Sequence, residues 1–307
     1  MEVTVDVEDK ASAYSKKAYL LNKLRKVAYR YKLIKRVHQA RHILHFGPWR
    51  VLPIKLIRLI NKPEFQDARA SDSLLPEITQ DSTQRALVEK LQKDGVAIAG
   101  VLPAATVAEL TQVTRNLPPY EYQLVHQVCP QINRIVTDEG IKNVVRGYLK
   151  SEPVLLAASL FVTHSEDDEK VRSQNKFHFD YAGWESLNVF VYITPVSLQS
   201  SYHVAIKGSH KEIGLKDMLV GEITEAEARK RFGDNIENIT GPAGTVFFEN
   251  VEMFHRRHKG NERRILLNLI YASHRNLFSY GRASAQQLAK RDECFHQSSQ
   301  INFIKSA

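Results

Sequence analysis

The chain has 307 residues, 43% hydrophobic and 25% charged, which fits one large globular domain with an appendage and excludes a disordered or fibrous protein. Two cysteines, Cys129 and Cys294, are too few for a disulfide framework or a thiolate metal centre, so a reducing, cytoplasmic compartment is expected. The net charge of +9 is concentrated: residues 1–9 hold four acids and no base, residues 10–63 hold nine Lys and six Arg and no acid, and residues 64–307 carry −2.

No run approaches the roughly 18 apolar residues of a spanning helix, and the acidic start MEVTVDVEDK lacks the basic region of a secretion signal. In residues 18–43, Leu20, Leu24, Val27, Tyr31, Ile34 and Val37 recur at threes and fours, which predicts a helix with one apolar and one basic face. Gly47 and Pro48 end it, and a second short basic helix, IKLIRLINK, is predicted between Pro53 and Pro63. Residues 64–82, with a mostly polar run at 71–81, read as a linker. Helices are predicted at 84–92, 103–115 and 138–149, with a strand, GVAIAGVL, at 95–102.

Beyond Pro153 the character changes to short runs rich in Val, Ile, Phe and Tyr, at 154–163, 187–195, 202–206, 244–248 and 265–272. Strands without a helix between each pair predict an antiparallel sandwich or barrel. An insertion at 211–239 contains a helical piece, EAEARKRF, and residues 281–307 read as a helical tail. The expected plan is a basic helical extension (1–63), a linker (64–82), a mainly β domain with flanking helices (83–280) and the tail.

The segment KFHFDYAG sets His178 and Asp180 two apart, so on a strand both point to one face and can meet one cation. Iron(II) in oxygenases is commonly held by two His and one carboxylate on one octahedral face. His203, His210, His255 and His258 are the downstream candidates for the second His. In TVFFENVEMFHRRHKGNERRILLNLIY a strand leads to His255, then a turn, then a strand opening on Arg263 and Arg264. A guanidinium fork suits a carboxylate held in two-pronged fashion.

The ordered set YLKSEP, H-x-D, VFVYITPV, KGSHK, GTVFFEN and H-x(8)-R, over about residues 149–272, resembles the phytanoyl-CoA dioxygenase family of iron and 2-oxoglutarate oxygenases. The resemblance implies a double-stranded β-helix, the cupin-like jelly roll, using Fe(II), 2-oxoglutarate and O2. It implies iron ligands at His178, Asp180 and His255, with His258 the alternate to His255, and a 2-oxoglutarate arginine at Arg264 or Arg263. Arg264 is preferred because family members usually carry a polar residue four positions on, here Asn268, whereas Arg263 is followed by Leu267. A bulge at Gly260 or Asn261 would reverse that parity.

The implied reaction is hydroxylation of an unactivated C–H in a small-molecule, natural-product or lipid- or sugar-conjugate substrate, with release of succinate and CO2. Halogenating relatives replace the carboxylate with a small residue, so Asp180 favours oxygen transfer. QSSY at 199–202 departs from the family's usual Gly-Pro pair, and HRRHKGNERR is shorter than its usual hairpin. Substrate-facing segments are expected at 181–185, 199–202 and 211–239. The competing reading is a catalytically silent jelly-roll binding or scaffold protein. Residues 10–63 read either as a solvated face or as a peripheral contact with an anionic membrane surface, which would suit a lipid-linked substrate. No nucleic-acid-binding motif is present, and no such partner is expected.

Overall fold

The computed structural model describes residues 47–163, 175–180, 182–275 and 283–306, with residue 40 besides; apart from that residue, the helix expected at 18–43 lies outside them. The chain divides into two compact units, Met1–Gly47 and Pro48–Ala307, and the elements that follow belong to the second.

Helix α1 is Val51–Ile60. It starts before Pro53 rather than after it, because a proline in the first turn gives up an N–H that has no helical partner. Residues 64–82, expected as a linker, contribute Leu74, Leu75 and Ile78 to the core; the polar residues around these three mask them in the sequence. The compact unit therefore begins well before the expected domain start.

Helix α2 (Asp81–Asp94) closes on Gly95, whose φ of 81° is left-handed. Strand β1 (Val96–Val101), helix α3 (Ala104–Thr114), strand β2 (Tyr120–Gln123) and helix α4 (Pro130–Thr137) follow. Helix α5 is Glu139–Leu149, and its cap Asp138 accepts from the Ile141 N–H. Then come β3 (Val154–Thr163), β4 (Phe177–His178), β5 (Ser186–Tyr192), β6 (His203–Ile206) and helix α6 (Leu215–Val220). Strand β7 (Glu222–Ile223), helix α7 (Glu225–Phe232) and strands β8 (Ile236–Ile239), β9 (Thr245–Asn250), β10 (His255–Arg257) and β11 (Arg264–Ala272) precede the tail helix α8 (Ala285–Ser306). The elements β2, α4, α6, β7, β8 and β10 were not anticipated; at two to eight residues they are too short to show a period.

The strands form two antiparallel sheets, ordered β1-β9-β5-β11-β3-β2 and β7-β4-β10-β6-β8, in the double-stranded β-helix arrangement. The insertion at 211–239 supplies β7 and β8, the two edges of the smaller sheet. Alternation along the larger sheet divides its faces. Leu160, Val189, Val191, Val246, Phe248, Leu267 and Leu269 share one core with Leu91, Leu110, Ile135 and Val144 of the helices. The intervening residues, Phe161, Phe190, Arg264, Leu266 and Asn268, line a cavity on the other face.

Candidate active site

Strand β4 is two residues long, and in it His178 pairs in register with His255 of β10. Directly opposed residues share a face, and the two rings stand edge to face with centroids 4.6 Å apart. Asp180 lies beyond the strand, so its position does not follow from strand alternation. Its backbone N–H donates to the Val251 carbonyl (2.8 Å) in the turn before His255. His178, Asp180 and His255 then offer one ligand atom each, all within 4.8 Å of one another, and His255 Nε2 is 3.6 Å from Asp180 Oδ2.

Backbone carbonyls determine which ring nitrogens face this cluster. His178 Nδ1 donates to Lys176 O (2.8 Å) and His255 Nδ1 to Met253 O (3.0 Å), which leaves both Nε2 atoms for a cation. Behind His255 stands Glu249, with no solvent exposure. Its Oε2 is bonded to His203 Nε2 at 2.6 Å, and its Oε1, 3.3 Å from His255 Nδ1, has no hydrogen-bond partner, so one buried carboxylate lies against two imidazoles. Burial works to lower the His255 pKa, but the charges of Glu249 and Asp180 outweigh it and raise the value to about 9. His178 and His203 remain below the usual imidazole range, chiefly through burial.

The cavity, of roughly 90 Å³, is lined by His178, Asp180, His203, His255, Arg257, Arg264 and Asn268, with Phe161, Phe190 and Leu266 as its apolar wall. Arg264 is 3% exposed. Its Nη1 donates to the Ser201 carbonyl, while Nε is buried without a partner. Burial brings its pKa down to about 10. Asn268 Oδ1 is likewise buried without a partner. Arg263 faces the other way and donates to the Leu117 carbonyl (2.7 Å). The strand is regular from Arg264 to Ile270, which keeps Arg264 and Asn268 on one face.

His258 stacks on Tyr202, centroids 4.3 Å apart, and His210 bonds the Gln92 carbonyl; neither lines the cavity. Of the segments expected to face substrate, 199–202 is mostly buried and holds Arg264 through Ser201 O, while Glu185 is paired with Arg58. Glu249 and Arg257 were missed from the sequence, and His203 was considered there only as a candidate second ligand. The signal for Glu249 is a charged residue inside TVFFEN, a strand otherwise buried throughout.

Two imidazoles and a carboxylate on one side of a point suit a six-coordinate iron with three positions left over. A buried guanidinium edge on the same cavity suits a carboxylate. The residues present thus fit both a metal and an anionic co-substrate.

Neither a protein-family model nor a curated protein matches the sequence. Solved structures do. HygX from Streptomyces hygroscopicus with iron bound aligns at a TM-score of 0.50 and 15% identity, over 66% of this chain and 93% of that one. EctD from S. alaskensis with 2-oxoglutarate and 5-hydroxyectoine aligns at 0.49 and 14%, over 74% and 89%. The epimerase SnoN in complex with Fe3+, alpha ketoglutarate and nogalamycin RO aligns at 0.48 and 15%, over 63% and 84%. At such identities the likeness to HygX shows a common fold.

Proposed function

We propose that the chain is an Fe(II)- and 2-oxoglutarate-dependent oxygenase, with His178, Asp180 and His255 as metal ligands and Arg264 as the anchor of the co-substrate's distal carboxylate. The observation that carries this reading is the meeting, on one cavity, of a two-His, one-carboxylate cluster and a buried guanidinium with an unused Nε. HygX, of the same fold, was crystallised with iron, which agrees with it. Bound iron with 2-oxoglutarate and O2 would supply oxidative decarboxylation to succinate and CO2, coupled to oxidation of an unactivated C–H in a small-molecule substrate.

The chain's own residues would orient and exclude. Ser201 O holds Arg264 from behind, so that its free edge is presented to the cavity. Arg257, also buried and on the cavity wall, adds positive charge suited to a dianion. Asn268 offers a polar side chain beside Arg264, and Phe161, Phe190 and Leu266 keep water from that wall. Asp180 occupies the carboxylate position, which favours oxygen transfer.

Anaerobic Fe(II) titration, 2-oxoglutarate binding by calorimetry and succinate release test the reading. Wild type is expected to bind one iron, and His178→Ala to lose it. Arg264→Lys is expected to weaken 2-oxoglutarate by about tenfold or more, since a lysine cannot reproduce the fork, while Arg263→Lys leaves it unchanged. A wild-type protein that holds neither iron nor 2-oxoglutarate and forms no succinate would leave the silent-scaffold reading in its place.

A further inference from the structure

Helix α1 turns an apolar stripe away from its domain. A helix that packs on a globular core ordinarily turns its apolar stripe inward, yet none of the ten residues of VLPIKLIRLI is buried. Val51, Leu52, Lys55, Leu56, Leu59 and Ile60 form the outward face, where Leu52 is 75%, Leu56 56%, Leu59 65% and Ile60 76% exposed. The inner side, Pro53, Ile54, Ile57 and Arg58, is only half-buried, and polar side chains anchor the helix. Arg50, at the entry to the helix, makes a two-pronged pair with Glu252 (2.7 and 3.0 Å), and Arg58 does the same with Glu185. Asn61 clamps the far end by donating to the carbonyls of Glu152 (2.7 Å) and Ser273 (3.1 Å). Glu185 follows Asp180 closely in sequence and Glu252 precedes His255, so the helix is fastened to the loops that carry two of the cluster's side chains.

We propose that this face seats on an anionic lipid bilayer, its leucines entering the interface while the arginines keep the catalytic unit attached. Charge selects the partner. Lys55 and Lys62 are exposed at the face and its end, and residues 10–63 hold fifteen basic side chains and no acid. A second copy of the chain would bring the same positive field against it, whereas an anionic headgroup layer complements it. At ten residues helix α1 is too short to cross a membrane, so its contact with a bilayer lies on the surface. It does not depend on the metal chemistry.

Flotation of the full chain with vesicles of phosphatidylcholine alone, and of phosphatidylcholine with phosphatidylserine, is the test. Wild type is expected to partition to the phosphatidylserine vesicles, and the triple variant Leu52→Ser, Leu56→Ser, Leu59→Ser to lose roughly a hundredfold in partition with its iron binding and melting temperature unchanged. Partition of the variant equal to wild type would overturn the proposal by assigning binding to residues outside this face, as would no partition of either. A wild type that is dimeric without vesicles, against a monomeric variant, would assign the face to a second copy instead.

Discussion

Glu249 supports the cluster from behind. Its carboxylate is fully buried, 2.6 Å from His203 Nε2 and 3.3 Å from His255 Nδ1, so its charge keeps the His255 ring basic while the Met253 carbonyl fixes that ring's orientation. Glu249→Gln preserves the shape and removes the charge. We expect Fe(II) affinity to fall by about 10- to 100-fold with the fold intact, read by anaerobic metal titration alongside far-UV circular dichroism; unchanged affinity would show that Glu249 only fills space. Gly260 packs against the backbone segment that holds Arg264. A Cβ there would lie 2.1 Å from the Ser200 carbonyl carbon and 2.4 Å from the Ser201 nitrogen, backbone atoms that have nowhere to go. The segment they belong to holds Arg264 through Ser201 O. Gly260→Ala is therefore expected to cost about 3 kcal/mol in urea unfolding and to weaken 2-oxoglutarate binding, whereas a variant with wild-type unfolding would mean the loop shifts freely.

At the scale of elements, helix α5 is tied to the chain around it by Arg146. Its guanidinium is 2% exposed and bonds Glu152 through two nitrogens (2.8 Å each), Glu139 (2.7 Å) and Asn143 (2.7 Å). Both glutamates reach solvent, with about a third of each side chain exposed, so their contribution is smaller than for a sealed pair. The bonds from Arg146 hold Glu152 below the ordinary carboxylate range. For Glu139 burial works upward, but bonds from Lys142 and Arg146 prevail and its pKa is also lowered. A lowered folded-state pKa means stabilisation that is present above the unfolded value, near 4.5, and is lost as pH falls through the folded values. Arg146→Met is thus expected to cost about 2 kcal/mol at pH 7 and to flatten the decline below pH 4.5. An unaltered acid-unfolding profile would assign the acid response to other carboxylates.

At the scale of the whole molecule, the cluster draws on both sheet strands and turns, so a bound ion should brace the unit that holds it. Saturating Mn(II), a redox-stable stand-in, is expected to raise the melting temperature of wild type by about 5 °C and to leave His178→Ala unmoved; equal shifts in both would place the ion elsewhere. Part of this architecture was legible from sequence: strands β1, β3, β5, β6, β9 and β11 were readable as apolar runs rich in β-branched and aromatic residues, and EAEARKRF as the helix Glu225–Phe232. The buried segment at Leu74–Ile78 was not, because three apolar residues show no period. By itself the sequence determined which residues share a face within one strand: the period of two puts Arg264 with Asn268, whereas the structure shows that this face lines the cavity and that Arg263 reaches the Leu117 carbonyl. Only the tertiary structure decided which histidines meet. Pairing of β4 with β10 sets His178 against His255, a bond to Val251 brings in Asp180, and Glu249 is enclosed behind them. Local period governs a face, whereas a cluster depends on register between strands distant in sequence, which no local pattern encodes.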